Sequence, residues 1–148
     1  MKTVSKQEYA QRVKDASPNS PIFKDCLLAF LFGGAICTLG QALFNLYQNF
    51  GVEMKDARAL VSISLIFLSA TLTAVGWYDN IAKHAGAGTL VPITGFANSM
   101  VSPAMEFKSE GFITGLGSKL FVVSGPVLVF GITASVVYGL IAFIFGLA

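Results

Sequence analysis

Charge is what this sequence lacks most. Ten Lys/Arg and eight Asp/Glu make up 12% of its 148 residues, where a soluble domain carries about a quarter. No charged side chain falls in residues 26–52, 59–78, 84–105 or 120–148, with His84 taken as neutral. A run of roughly 20 apolar residues crosses the hydrocarbon core of a bilayer. Four such runs leave too little chain for a soluble core, so the composition implies an all-α integral membrane protein. The net charge is only +2. Its positive groups sit in the flanks of the apolar runs rather than on one surface, which excludes a nucleic-acid partner.

Cysteine is scarce too. Cys26 and Cys37 fall on one expected helix, roughly 16 Å apart at 1.5 Å per residue, too far to bridge. The motifs HExxH, GxSxG and CxxC are missing, and no nucleophile stands beside a positioned base. The expectation is a non-enzyme without cofactor or metal centre. The N-terminus does not read as a cleavable signal: about 25 polar residues precede the first apolar run, and that run is too long for a signal core.

What is present is organised by those gaps. Residues 1–25 read as a cytoplasmic arm with five Lys/Arg, a solvated topology anchor. Ser5 followed by Glu8 fits a capping box that starts a short helix, on which Tyr9 and Val13 can rest on a membrane surface. Ser17-Pro18-Asn19-Ser20-Pro21 ends it. Residues 26–148 form the membrane domain, with spans over about 26–47, 59–78 and 120–148.

The first span carries a face of small residues, Ala29, Gly33, Cys37 and Gly40, suited to close helix packing. Its amide stripe, Gln41, Asn45 and Gln48, belongs against protein, water or headgroups. The second span puts Ser62, Ser69, Thr73, Gly76 and Asn80 on one side and Ser64, Thr71 and Tyr78 on the other, which predicts neighbours on two sides. Trp77 and Tyr78 read as an interfacial aromatic belt. On the last span Ser124, Gly131, Ser135, Tyr138 and Ala142 share a face. Pro126 either kinks that helix or opens it. In the second case residues 111–123 are interfacial or partly inserted.

Residues 86–100, GAGTLVPITGFANSM, lie inside the uncharged run 85–105. With Gly86, Gly88, Pro92 and Gly95 crowded into one half, a continuous helix there is not expected. The run is read as re-entrant, the alternative being a fourth span. With the N-terminus inside, a re-entrant run places eight Lys/Arg inside and two outside; a spanning run places six inside and four outside. The positive-inside tendency selects the first. Non-helical backbone at membrane depth belongs in protein or beside a water-filled cavity, and broken helices expose ends that hold ions. Thr94-Gly95 is expected to open a half-helix bearing Asn98, Ser99 and Ser102. These five residues are the candidate pathway or solute-binding set. Asp79 and Glu106 are candidate rim charges, in reach of Lys83 or Lys108. Gly33, Gly40, Gly131 and Ser135 are candidate helix-packing positions. The structural alternative for 85–105 is a hinge that merely packs between helices.

The stretch GAGTLVPITGFANSMVSPAMEFKSEG, residues 86–111, resembles the signature region of the SpoVAC/SpoVAEB family, small membrane proteins of endospore-forming bacteria. KDCLLAFLFGGAICTLGQ and LTAVGWYDNIAKHAGAG resemble it too, and the likeness runs from about Phe23 to the C-terminus. The resemblance implies a subunit of a sporulation complex in the spore inner membrane. That complex moves dipicolinic acid, with calcium, into the forespore and releases it on germination, and a family member is regarded as a mechanosensitive channel component. The partners so implied are the other subunits of that complex and membrane lipid. With three or four spans one copy hardly encloses a pore, so a homo- or hetero-oligomer is expected. A non-conducting scaffold subunit is the alternative. The resemblance assigns no residue roles.

Overall fold

A computed structural model describes residues 5–17 and 20–146. Lys2 of the arm, the expected break at Pro18 and Asn19, and the last two residues of the third span lie outside the described residues. The described chain is helical. Helix α1 (Lys6–Ala16) begins where the capping box places it, with Ser5 Oγ accepting from the Glu8 N–H at 3.2 Å. Tyr9 and Val13 on it are exposed.

Among the described residues three helices are long and apolar enough to cross a membrane: α2 (Ile22–Asn49), α3 (Met54–Ala74) and α7 (Ser124–Ile144). Each contains the greater part of one expected span. The fold is thus an all-α integral membrane protein with three candidate membrane-spanning helices. The first span starts four residues earlier than expected, because Pro21 suits the start of a helix, and it runs on until the positive-φ Gly51 after Phe50. The second ends at Ala74 instead of 78, because Gly76 has φ +78°, a left-handed turn that closes the helix. The third begins at Ser124, so Pro126 falls in its first turn, where no N–H is needed.

Between α3 and α7 the chain makes short pieces. They are α4 (Trp77–Ala85), the single turn α5 (Ala87–Leu90), α6 (Ile93–Glu106), a 3₁₀ turn Lys108–Glu110 and a π-helical turn Phe112–Gly117. Gly86 at φ +50° and Pro92 separate the first three. None of them reaches the roughly 20 residues that a span requires.

α2 and α3 form an antiparallel pair. Gly40 lies against Val61 and Leu65, and Tyr47 Oη meets Ser64 Oγ at 2.6 Å. Pieces α4 to α6 wedge into this pair at the end where α3 stops. Ser69 meets Thr94 and Thr73 meets Asn98, the same separation of 25 residues in both contacts. A constant separation means that α6 runs parallel to α3. The chain therefore leaves α3 at Ala74, climbs back beside it through α4 and α5, turns at Pro92, and descends again as α6. α7 meets the rest mainly through α6 and leaves most of its surface open.

Candidate functional site

The wedge is held by close backbone approaches. Gly88 sits on α2 so tightly that a Cβ there would lie 2.9 Å from Ala29 Cα and still closer to its carbonyl oxygen. Gly33, one turn along α2, lies against the same glycine at 3.5 Å. Gly95 abuts the Thr89 and Leu90 carbonyls that precede the Pro92 break, with no room for a side chain. The glycines that break the helix thus also let its fragments stack.

Polar ties complete the seating. Ser69 Oγ donates to the Thr94 carbonyl at 2.6 Å, Thr73 Oγ1 reaches Asn98 Oδ1 at 2.9 Å, and the Tyr78 hydroxyl donates to the Thr89 carbonyl at 2.8 Å. Thr89 Oγ1 donates to the Gly86 carbonyl at 3.1 Å and Ser99 Oγ to the Phe96 carbonyl at 2.7 Å. Thr94 Oγ1 is buried and has no partner among the described residues. Beside it lies an apolar cavity of about 210 Å³, bounded by Phe32, Ile36, Leu65, Leu68, Tyr78 and Thr94 among others.

Of the five pathway candidates, Thr94 and Gly95 are buried at the top of α6, and Asn98 and Ser99 are half-buried one turn on. Ser102 is exposed near the bottom. Thr94, Asn98 and Ser102 are spaced by four along one helix. Pro103, inside α6, has no N–H for the Ser99 carbonyl. Asp79 pairs with Lys83 at 2.9 Å across one turn of α4, with both groups exposed. Exposed pairs of this kind contribute about 0.3–0.5 kcal/mol. Glu106 is exposed on the last turn of α6. A cleft of about 320 Å³ opens below α5, lined by Asp25, Cys26 and Ala29 of α2 with Lys83, His84 and Gly86.

Gly33 and Gly40 pack as small-residue contacts, on the wedge and on α3 respectively. Gly131 has nothing within 4 Å of an added Cβ, and Ser135 bonds its own helix at the Gly131 carbonyl. Within the amide stripe of α2, Gln41 donates to Asn45 at 2.9 Å.

One sequence expectation is overturned. Trp77 is open as an interfacial residue would be, at 64% exposure, but its neighbour Tyr78 is 5% exposed and belongs to the site. Gly76 reverses the chain just before it, so the ring turns inward rather than toward a headgroup zone. Nothing in the local composition separates the two aromatics; only the glycine signals the reversal. The contact of Lys119 Nζ with the Phe107 ring, 4.8 Å from its centre, was equally hidden. It ties the segment after the π-helical turn to the foot of α6.

No solved structure matches this chain. It is 45% identical over 141 residues, 95% of this chain and 94% of the relative, to stage V sporulation protein AC of Bacillus subtilis (strain 168). The family model described as SpoVAC/SpoVAEB sporulation membrane protein matches residues 25–141, which include most of α2, all of α3 and the wedge, and most of α7. The chain belongs to the SpoVAC/SpoVAEB family of sporulation membrane proteins.

Proposed function

We propose that the chain is a channel or transporter subunit that moves dipicolinic acid, with calcium, across the spore inner membrane, and that the wedge borders the route. The observation carrying this reading is the stack of broken helices beside α3. Unwound backbone at Gly86 and Pro92 and hydroxyl groups on both sides are placed where an apolar protein needs neither. Such breaks are stable in a bilayer only against protein or water. In this reading the wedge enters and leaves the membrane on the inner face. Asn98 and Ser102 offer hydrogen-bonding groups along the descending helix, and the Lys83–His84 end of α4 borders the mouth. Bilayer tension acts on the contacts between wedge, α2 and α3. The chain works with further subunits of the same complex, because three spans are too few for one copy to surround a pore.

Purified protein in liposomes loaded with dipicolinate should release it on osmotic swelling. Asn98→Leu and Ser102→Leu should change the rate at least threefold while the protein still assembles. Gly95 is the wrong position for this test, since any side chain there meets the Thr89 and Leu90 carbonyls and disturbs the fold itself. The second reading, a non-conducting scaffold, is favoured by the open Gly131–Ser135 face of α7. It expects no release from the pure protein and loss of partner recruitment when Gly131 is enlarged.

A further inference from the structure

We infer that the wedge has a second stable register on α3, one helical turn nearer the Ala74 end, and that it reaches it by sliding as a unit. This deepens the reading above by naming how its site moves, but it rests on the geometry of the ties and not on the solute.

The hydroxyls of α3 give the first reason. Ser62, Ser64 and Thr71 each donate to the carbonyl four residues back, at 3.1, 2.8 and 2.8 Å. Ser69 is the exception and donates across to the wedge. Thr73 has a single proton for two acceptors, Asn98 Oδ1 at 2.9 Å and its own Ser69 carbonyl at 2.8 Å. A carbonyl four residues back is the ordinary acceptor for a helical Ser or Thr. Both crossing hydroxyls therefore keep a partner when the wedge lets go, and release strands no buried donor.

The second reason is spacing. Ser69 and Thr73 are four apart, as are Thr94 and Asn98. A slide of one turn brings Thr94 opposite Thr73 and leaves Ser69 facing the Pro92 turn at the head of α6, its hydroxyl free to donate to the Leu65 carbonyl four residues back. Thr94 Oγ1, which has no partner in the present register, gains one. An unpaired buried hydroxyl is costly, so the register seen here carries a penalty that the second one relieves.

The third reason is room. The cleft below α5, about 320 Å³, lies on the path of the slide, and its α2 wall continues from Ala29 to the small side chain of Cys26. The Tyr78–Thr89 bond couples α4 to α5, so α4 follows, hinged at the positive-φ Gly76. One-turn ratchets of about 5.4 Å are a known form of helix displacement.

The test is a distance measurement that needs no flux. In full-length protein with Cys26 and Cys37 changed to Ser, spin labels at the exposed Gln48 and Glu106 report the slide along the α3 axis. In liposomes the labels should show two distance populations about 5 Å apart, with osmotic swelling changing their ratio. Thr94→Val, which keeps the shape and removes the hydroxyl, should deplete the longer distance at least threefold. Asn98→Ala, which frees Thr73, should enrich it. A single population that neither substitution nor swelling alters overturns the inference, as do two populations indifferent to Thr94. Dipicolinate release by the same preparations reports separately on conduction, so a static wedge and an absent pathway give different results.

Discussion

Two glycines on neighbouring helices show how far a single residue is decided by its surroundings. Gly88 and Gly34 are both helical. A side chain at Gly88 meets the Ala29 backbone, whereas one at Gly34 meets nothing within 4 Å. Backbone cannot move aside as a side chain can. Gly88→Val should therefore lower the stability of the detergent-purified protein by about 1–3 kcal/mol, the ordinary cost of overpacking. Gly34→Ala should be neutral or slightly favourable, since alanine is the better helix former. Thermal unfolding followed by the signal of Trp77 separates the two; equal losses at both positions would mean that α5 is not seated on α2. The sequence made Gly88 conspicuous only as part of a breaker cluster. Its contact with α2 is a long-range fact with no local trace. Ser69, Thr73 and Asn98 were easier to read, because polar side chains at four-residue spacing in an apolar run require protein neighbours. The place of Tyr78 depends on the reversal at Gly76 before it, which hydropathy does not register.

At the scale of elements, the apolar runs were legible and their ends were not. Hydropathy locates α2, α3 and α7, since lipid imposes length and composition together. It does not tell that α3 stops at Ala74 and that the apolar residues after it belong to a separate helix. The break was expected over 85–105, yet the inserted unit begins at Trp77, because α4 climbs beside α3 before the glycines are reached. Helix α6 has 14 residues, about 21 Å long, which is short of a span. Lys83 and Lys108 should accordingly face the same compartment. Single cysteines at these positions, in a background without Cys26 and Cys37, should react with a membrane-impermeant reagent from one side only, and it should be the same side for both. Labelling from opposite sides would turn α6 into a fourth crossing and leave the wedge without its return path.

For the whole molecule the decisive feature is an imbalance. Helices α2 and α3 gather the wedge between them, while α7 stands apart with little of its surface covered. Its face carries Gly131 and Ser135 over a shallow groove lined by Val127, Leu128, Ile132 and Val136. A bilayer does not drive apolar helices together, so small residues matter there through close packing with another helix. Within one chain that packing is made at Gly33 and Gly40 and not at Gly131. Gly131→Leu should thus leave the unfolding temperature of the isolated chain unchanged or slightly raised, because an added side chain enters open space and leucine is the better helix former. If α7 is the seam between subunits, the same change should at least halve the assembled fraction seen by chemical cross-linking in native membranes. Leu128→Ala, beside the groove, should reduce it less, since shortening a side chain leaves the helices free to approach. An assembled fraction indifferent to Gly131 would place the contacts between subunits on α2 or α3 instead. A conducting route would then have to run along the outside of the α2–α3 pair, past the amide of Gln41 that donates to Asn45.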